Sequence, residues 1–405
     1  MASRAFVVSE LYYPEETSTG YLLTKIAEGI ARELPVTAIC SQPTYSARGT
    51  RAPVREHRNG VDIERCAGTT LDKNALLGRA VNAVTISAAL WWRVLRRIRQ
   101  GDVAIVVTNP PFLPFGVLLA CRAKRARCAL LVHDVYPEVL VAAGLSRRGS
   151  PIARIARSAT RWLYRGSDRV IVLGRDMEAL AAQKLDGHAG KLVVIPNWAD
   201  TEDIGPAPRE TNALLRELGL MDRFVVQYAG NMGRTHGLEM LFAAAKRVRP
   251  DVHWLFIGSG AKKPWLEKAI ARDGVASMSI IGNRPRDDQP VFLTACDVAV
   301  ISFVPGMAGV SVPSRMYNIM AAGKPIIAIA DEESELARVV SEERIGWVIP
   351  PGDVDGLVAL LDRLPGEPEL VRELGARARA VAAAKYPLSS AIDRYLRLVR
   401  DLLAA

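Results

Sequence analysis

The sequence predicts an α/β protein of two tandem domains, each a mostly parallel sheet covered by helices on both faces. Three observations predict it. A chain of 405 residues is long for one hydrophobic core and suits two. Short apolar runs alternate with helix-period stretches along the whole length, as in sheets buried on both faces. The alternation is interrupted near 197–222 by a polar, Pro-containing stretch from Asp200 to Arg209 and a connector helix, which reads as a linker.

In the first half the strands expected are Phe6–Val8, Val36–Cys40, Val103–Val107, Ala129–Val132, Val170–Leu173 and Leu192–Ile195. In the second they are Phe224–Tyr228, Trp254–Ile257, Met278–Ile281, Val298–Ile301 and Pro325–Ile329. The domains therefore run 1–199 and 223–385, with 200–222 as linker. The amphipathic segment 386–405 is left over as a final helix. Val103–Cys121 is 19 residues without a charge, the length of a membrane span. Asn109-Pro110-Pro111 and Pro114 break it, so strand, loop and short helix are expected. The start, Met-Ala-Ser-Arg, runs straight into a strand, and no signal peptide is expected.

Charge is lopsided. Residues 1–199 hold 28 Lys and Arg against 16 Asp and Glu, a net of +12, and the remainder is at −2. A basic half suits an anionic membrane, a phosphorylated ligand or nucleic acid. Aromatics are not interleaved with the basic residues as a single-strand platform needs, and no helix-turn-helix or zinc-finger spacing occurs, so nucleic acid is not expected. The five cysteines are scattered without a CxxC or a His/Cys cluster. Neither a metal site nor a disulfide framework is indicated, and a reducing cytoplasm fits.

Ligands of open α/β sheets sit at the carboxyl ends of strands, and candidate site residues follow them here. Residues 311–328 read Ser-Val-Pro-Ser-Arg-Met-Tyr-Asn-Ile-Met-Ala-Ala-Gly-Lys-Pro-Ile-Ile-Ala. Pro313 opens a short helix, and Ser314 and Arg315 beside its N-terminus suit a phosphate. Gly230-Asn231-Met232-Gly233-Arg234-Thr235-His236-Gly237 is a second candidate. Its glycines permit close backbone approach and Arg234 can hold two phosphate oxygens. Gly258-Ser259-Gly260 and Gly282-Asn283-Arg284-Pro285 repeat the theme, adding Gly258 and Arg284. In the first domain His133 ends a strand. Gly20, Glu15 and Glu16 lie between the first strand and first helix, where Gly20 could admit a ligand. Arg79–Arg99 reads as a basic helix bearing Trp91 and Trp92 with Arg93 and Arg96, suited either to core packing with a solvated edge or to an anionic membrane surface.

Taken together, Tyr12-Tyr13-Pro14-Glu15-Glu16-Thr17, His133-Asp134, Val194-Ile195-Pro196-Asn197, the Gly230–Gly237 loop and Pro313–Pro325 resemble the family-4 glycosyltransferases. That resemblance implies the GT-B fold: two Rossmann-like domains facing across a cleft, with a C-terminal helix crossing back to the first. It implies a retaining, metal-independent transfer of a hexose or N-acetylhexosamine-type sugar to a polysaccharide-precursor acceptor, glycan or polyprenyl-diphosphate-linked. The donor would be a nucleotide-diphosphate sugar, a UDP-sugar above all, with no other cofactor. Arg234 and Arg315, helped by Ser314, would stabilise the leaving diphosphate. His133 would contact the donor sugar, and Arg284 would flank the base. The protein would be cytoplasmic and peripheral on the inner face of the membrane. The family's Glu–seven residues–Glu pattern falls on Val310 and Asn318; Asn318 could still bond a ribose. Two other readings share the architecture: a nucleotide-sugar 2-epimerase, and a non-catalytic nucleotide-sugar-binding partner of another transferase.

Overall fold

Apolar β-branched runs such as Val103-Ala-Ile-Val-Val107 have no polar face, so they must lie inside a sheet with helices on both sides. The computed structural model, which describes residues 3–44, 50–71 and 76–404, has two such sheets. Met1 and Ala2 of the expected opening segment, and the Arg79 side chain of the expected basic helix, lie outside the description.

The first unit comprises residues 1–137, 149–196 and 389–405. Its strands are β1 (Ala5–Val8), β2 (Val36–Ser41), β3 (Arg55–Arg58), β4 (Val61–Cys66), β5 (Val103–Val107), β6 (Arg127–Leu131), β7 (Arg169–Val172) and β8 (Leu192–Val194). They lie in the order β3-β4-β2-β1-β5-β6-β7-β8. All neighbours are parallel except β3, which runs antiparallel to β4 at the edge. The second unit comprises 138–148 and 197–388. Its strands are β9 (Phe224–Ala229), β10 (Val252–Ile257), β11 (Met278–Ile281), β12 (Val298–Ser302), β13 (Ile326–Ile329) and β14 (Gly346–Ile349). They lie in the order β11-β10-β9-β12-β13-β14, all parallel. Both sheets are Rossmann-like, as the sequence implies.

Three strands escape the sequence reading, each for a physical reason. β3 reads Arg-Glu-His-Arg and is half exposed, the polar edge that discourages pairing with other chains. β4 carries Glu64 and Arg65, both buried. Arg65 is tolerated there because its guanidinium donates to the Pro53 and Tyr13 carbonyls at 2.8 and 2.9 Å and meets Glu56 at 2.7 Å. β14 is a four-residue strand ending at Pro350-Pro351. The segment 138–148 belongs with the second unit, although it lies inside the first half of the sequence.

The final helix, Leu388–Ala404, belongs to the first unit. Its Ile392 fills the notch at Gly29 of helix Ser18–Ile30, where an added Cβ would stand 2.5 Å from the isoleucine. Among the described residues no helix is long and apolar enough to cross a membrane.

Candidate functional site

In the second unit the chain leaves the sheet centre in opposite directions from β9 and β12, which are neighbours. Loops after such strands diverge and leave a crevice at the carboxyl edge. The Gly230–Gly237 loop follows β9 and residues 303–314 follow β12.

Arg315 begins helix Arg315–Ala321 after that second loop. Its guanidinium carbon lies 4.7 Å from the Tyr228 ring centroid. Nη1 donates to the Ala229 carbonyl at 3.3 Å. Among the described residues Nε and Nη2 are buried with no hydrogen-bond partner, carboxylates included. A buried charge without a counter-ion is unfavourable unless an anion completes it. Ser302 Oγ, buried at the end of β12, is likewise unpartnered among the described residues.

Gly230 is required beside Arg315. A Cβ there would stand 2.6 Å from Nη1, and the residue has φ +139°. Gly258, expected to admit a ligand, admits another loop of the protein. A Cβ on it would lie 2.1 Å from the Gly230 carbonyl oxygen, so it lets two loops of the protein pack backbone to backbone. The Met232 amide donates to the Ser259 carbonyl at 2.8 Å and closes the same contact. Gly233 sits against its own neighbours, Asn231 and His236. Asn231 and Arg234 are exposed on the loop.

His236 was absent from the expected site residues. Its ring lies edge-on to Tyr228 at 6.4 Å and 5.5 Å from Phe303. Burial, and then the Arg315 cation, push its imidazole down to about 3. It is therefore neutral near pH 7. The sequence signal was its place in the glycine-rich loop; its burial beside a cation is a tertiary fact.

The loop after β12 is held from within. The amides of Gly306, Met307 and Ala308 donate to Asp331 Oδ2 at 2.9, 2.9 and 3.1 Å. Val310 is 2% exposed, so its side chain belongs to the core. Ser314 stands before the helix and makes no side-chain cap.

Asn318, expected to bond a ribose, is engaged within the protein. It is buried, accepts the Asp200 amide at 3.1 Å, and donates to Asp200 Oδ2 at 3.2 Å and to Gln289 at 3.3 Å. Asp200 also accepts from Trp198 Nε1 at 3.1 Å and pairs with Arg286 at 2.7 Å. This network ties residues 198–200 and the segment after β11 to the helix of Arg315. Arg284 is paired with Asp288 at 3.3 Å.

In the first unit, the start of helix Ser18–Ile30 and the loops after β5 and β6 meet at His133. Its amide donates to Thr108 Oγ1 at 3.1 Å, and Nδ1 lies 3.3 Å from Thr19 Oγ1. Nε2 is buried and unpartnered among the described residues. Burial pushes this imidazole down to about 4. Unfolded, it would titrate near 6.5, so the unfolded chain takes up the proton first. The stability of the neutral ring is complete above about 6.5 and is lost as pH falls toward the folded value. His236 acts in the same direction. His133→Gln is expected to flatten part of this acid loss, read as urea midpoints at about pH 5 and about pH 7.

The space at Gly20 is taken by Glu15, whose carbonyl oxygen would lie 2.6 Å from an added Cβ. Glu15 is itself buried, and its carboxylate accepts the Thr44 amide. Glu16 is exposed. Arg93 is turned to the buried Glu64 at 3.2 Å, beside Arg97 at 2.7 Å. Trp91, Trp92 and Arg96 are exposed, and Arg96 stacks over Trp92 at 4.5 Å.

Comparison with known proteins adds to this geometry. A model for a glycosyl transferase 4-like domain matches residues 20–198, and one for glycosyl transferases group 1 matches 212–381. The chain is 34% identical over 411 residues to the probable glycosyltransferase WbjE of Pseudomonas aeruginosa, covering 99% of both. It is 24% identical to the putative colanic acid biosynthesis glycosyl transferase WcaI of Escherichia coli K12, covering 90% of this chain and 94% of the other. Among solved structures, sucrose-phosphate synthase from Thermosynechococcus elongatus superposes with TM-score 0.82 at 18% identity, and HepE of Anabaena in complex with UDP and glucose with 0.74 at 16%. Both cover the full length of each chain.

Proposed function

Because the chain belongs to the family-4 glycosyltransferases of GT-B fold, we propose that it acts in surface-polysaccharide biosynthesis, transferring a hexose or N-acetylhexosamine-type sugar, with retention and without a metal, from a UDP-sugar to a polyprenyl-diphosphate-linked precursor. It would act at the cytoplasmic face of the membrane.

The observation that carries the donor assignment is Arg315. Its guanidinium, with Nε and Nη2 buried and unpartnered among the described residues, sits at the crevice where strand directions diverge. Cleavage of the donor leaves the electron pair of the glycosidic C–O bond on the diphosphate. A fixed cation where that charge develops lowers the barrier without reorganising. The exposed Arg234 on the adjoining loop would add a second, adjustable contact, and the free Ser314 hydroxyl a neutral donor. His133, neutral near pH 7, would offer Nε2 to a sugar hydroxyl. Solved complexes of HepE with UDP and with UDP-glucose support uridine as the base.

A second reading, nucleotide-sugar binding without transfer, is favoured by Val310 and Asn318. One is a core aliphatic and the other is engaged by Asp200, so neither supplies a carboxylate.

A thermal-shift panel of nucleotide sugars tests the proposal. At about one hundred times its Kd a UDP-sugar should stabilise the protein by about 2.7 kcal/mol, a rise of about 5–10 °C in Tm for a unit of this size. The rise should be the same with EDTA present. A flat response across UDP, GDP, TDP and ADP sugars would end it. Slow hydrolysis of the preferred donor separates transfer from binding alone.

A further inference from the structure

We propose that one face of the first unit docks on an anionic lipid bilayer, with helix Pro151–Gly166 at its centre. This deepens the lipid-linked acceptor of the proposed function and rests on that reading only for the identity of the acceptor.

The topology builds the face. Right-handed crossovers from β4 to β5, β5 to β6 and β6 to β7 put helices Leu76–Arg97, Leu113–Lys124 and Pro151–Gly166 on one side of the sheet. They touch in that order. Gly116 makes room for Trp91, which an added Cβ would meet at 3.0 Å. Phe115 stacks on Trp162 with centroids 6.2 Å apart and planes 7° from parallel. Arg122 lies over the same indole at 5.1 Å.

The outer surface has the composition of an interfacial layer. Ile152 is 71% exposed, Ile155 70% and Trp162 40%. Their spacing puts them along one edge of the helix. Arg154 and Arg161 lie along the other edge, exposed and without an ion pair among the described residues. The three helices together carry ten Arg and Lys and no Asp or Glu.

Charge and apolar residues together favour one class of partner over two others. A second copy of the same face would set arginine against arginine. A nucleic acid would meet the arginines and leave two exposed isoleucines without an apolar contact. An anionic bilayer supplies headgroup phosphates for Arg154 and Arg161 and an acyl boundary for Ile152, Ile155 and Trp162. The sequence pointed to the Trp91–Trp92 helix alone. With Arg93 and Arg97 engaged by Glu64, the free cations shift toward the helix that the sequence reading passed over.

Flotation of the whole protein with phosphatidylcholine vesicles, with and without about 30 mol% phosphatidylglycerol, tests this. Wild type should float with the anionic vesicles and stay down with the zwitterionic ones. R154E/R161E should lower partition at least about tenfold, and I152E/I155E should lower it even where about 0.5 M salt already screens the charges. Both variants should keep the wild-type circular dichroism and the wild-type thermal response to UDP-sugar. Wild type left at the bottom with anionic vesicles, or folded variants that float as well as wild type, would overturn the proposal. Flotation as expected without any response to UDP-sugar would instead sink the transferase reading and leave the lipid face standing.

Discussion

Arg315→Ala is expected to lower kcat/KM for transfer by about 10²–10³, with most of the loss in kcat, and to abolish the thermal response to UDP-sugar. The folded protein should lose little stability, because Nε and Nη2 make no hydrogen bond within the described chain. That combination, a large kinetic loss with an unmoved Tm, is the signature of a residue organised for a ligand. Arg315→Lys should recover only part of the rate. An ammonium is a point charge and cannot reach phosphate oxygens with the fork that the Tyr228 ring and the Ala229 carbonyl hold in place. Steady-state kinetics beside a melting curve decide it. A rate within a few-fold of wild type would remove Arg315 from the diphosphate site.

Asp200→Ala should show the reverse pattern. Here the carboxylate joins Arg286, Trp198 and Asn318 in one buried network. Deleting it leaves Arg286 and the Asn318 amide without their main acceptor. Breaking a buried pair from one side costs about 3–5 kcal/mol; with Arg286 still partly open to water, the lower end is expected. For a unit of this size that is about 6–12 °C in Tm, followed by calorimetry. Because Asn318 and Arg315 share helix Arg315–Ala321, donor affinity should weaken at a temperature where the variant is still folded. Asp200→Asn, which keeps the shape, should lose less stability. Equal melting of Asp200→Ala and wild type would show that the network is not a support.

Most strands were legible because apolar runs of four to six residues, punctuated by glycine and proline, leave few alternatives to a buried parallel sheet. β4 was not, since Asp62, Glu64 and Arg65 look like solvated residues until Arg65 is seen against Glu56 and the Tyr13 carbonyl. The site divides along the same line. Arg315 stands out as a candidate in Pro313-Ser314-Arg315, whereas the partners of Asn318 do not show in the sequence. Its partner Asp200 is 118 residues away in sequence. Gly258 reads from the sequence as a close approach, but that the Gly230 carbonyl is a group it admits is a tertiary fact. Helix Pro151–Gly166 was overlooked because its buried stripe is thin: Ala153, Thr160, Leu163 and Tyr164. Its apolar residues at the surface broke the expected pattern.

The helix Leu388–Ala404, whose Ile392 fills the notch at Gly29, has a consequence in time. Residues 389–405 belong to the first unit but follow residues 197–388 of the second in the chain. At about 5–20 residues per second, a ribosome spends on the order of ten seconds or more between the last strand of the first sheet and the helix that seals it. Through that interval helix Ser18–Ile30 waits with Gly29 uncovered, an apolar surface open to chaperones and to neighbouring nascent chains. The order of synthesis thus makes the second unit the first to be finished.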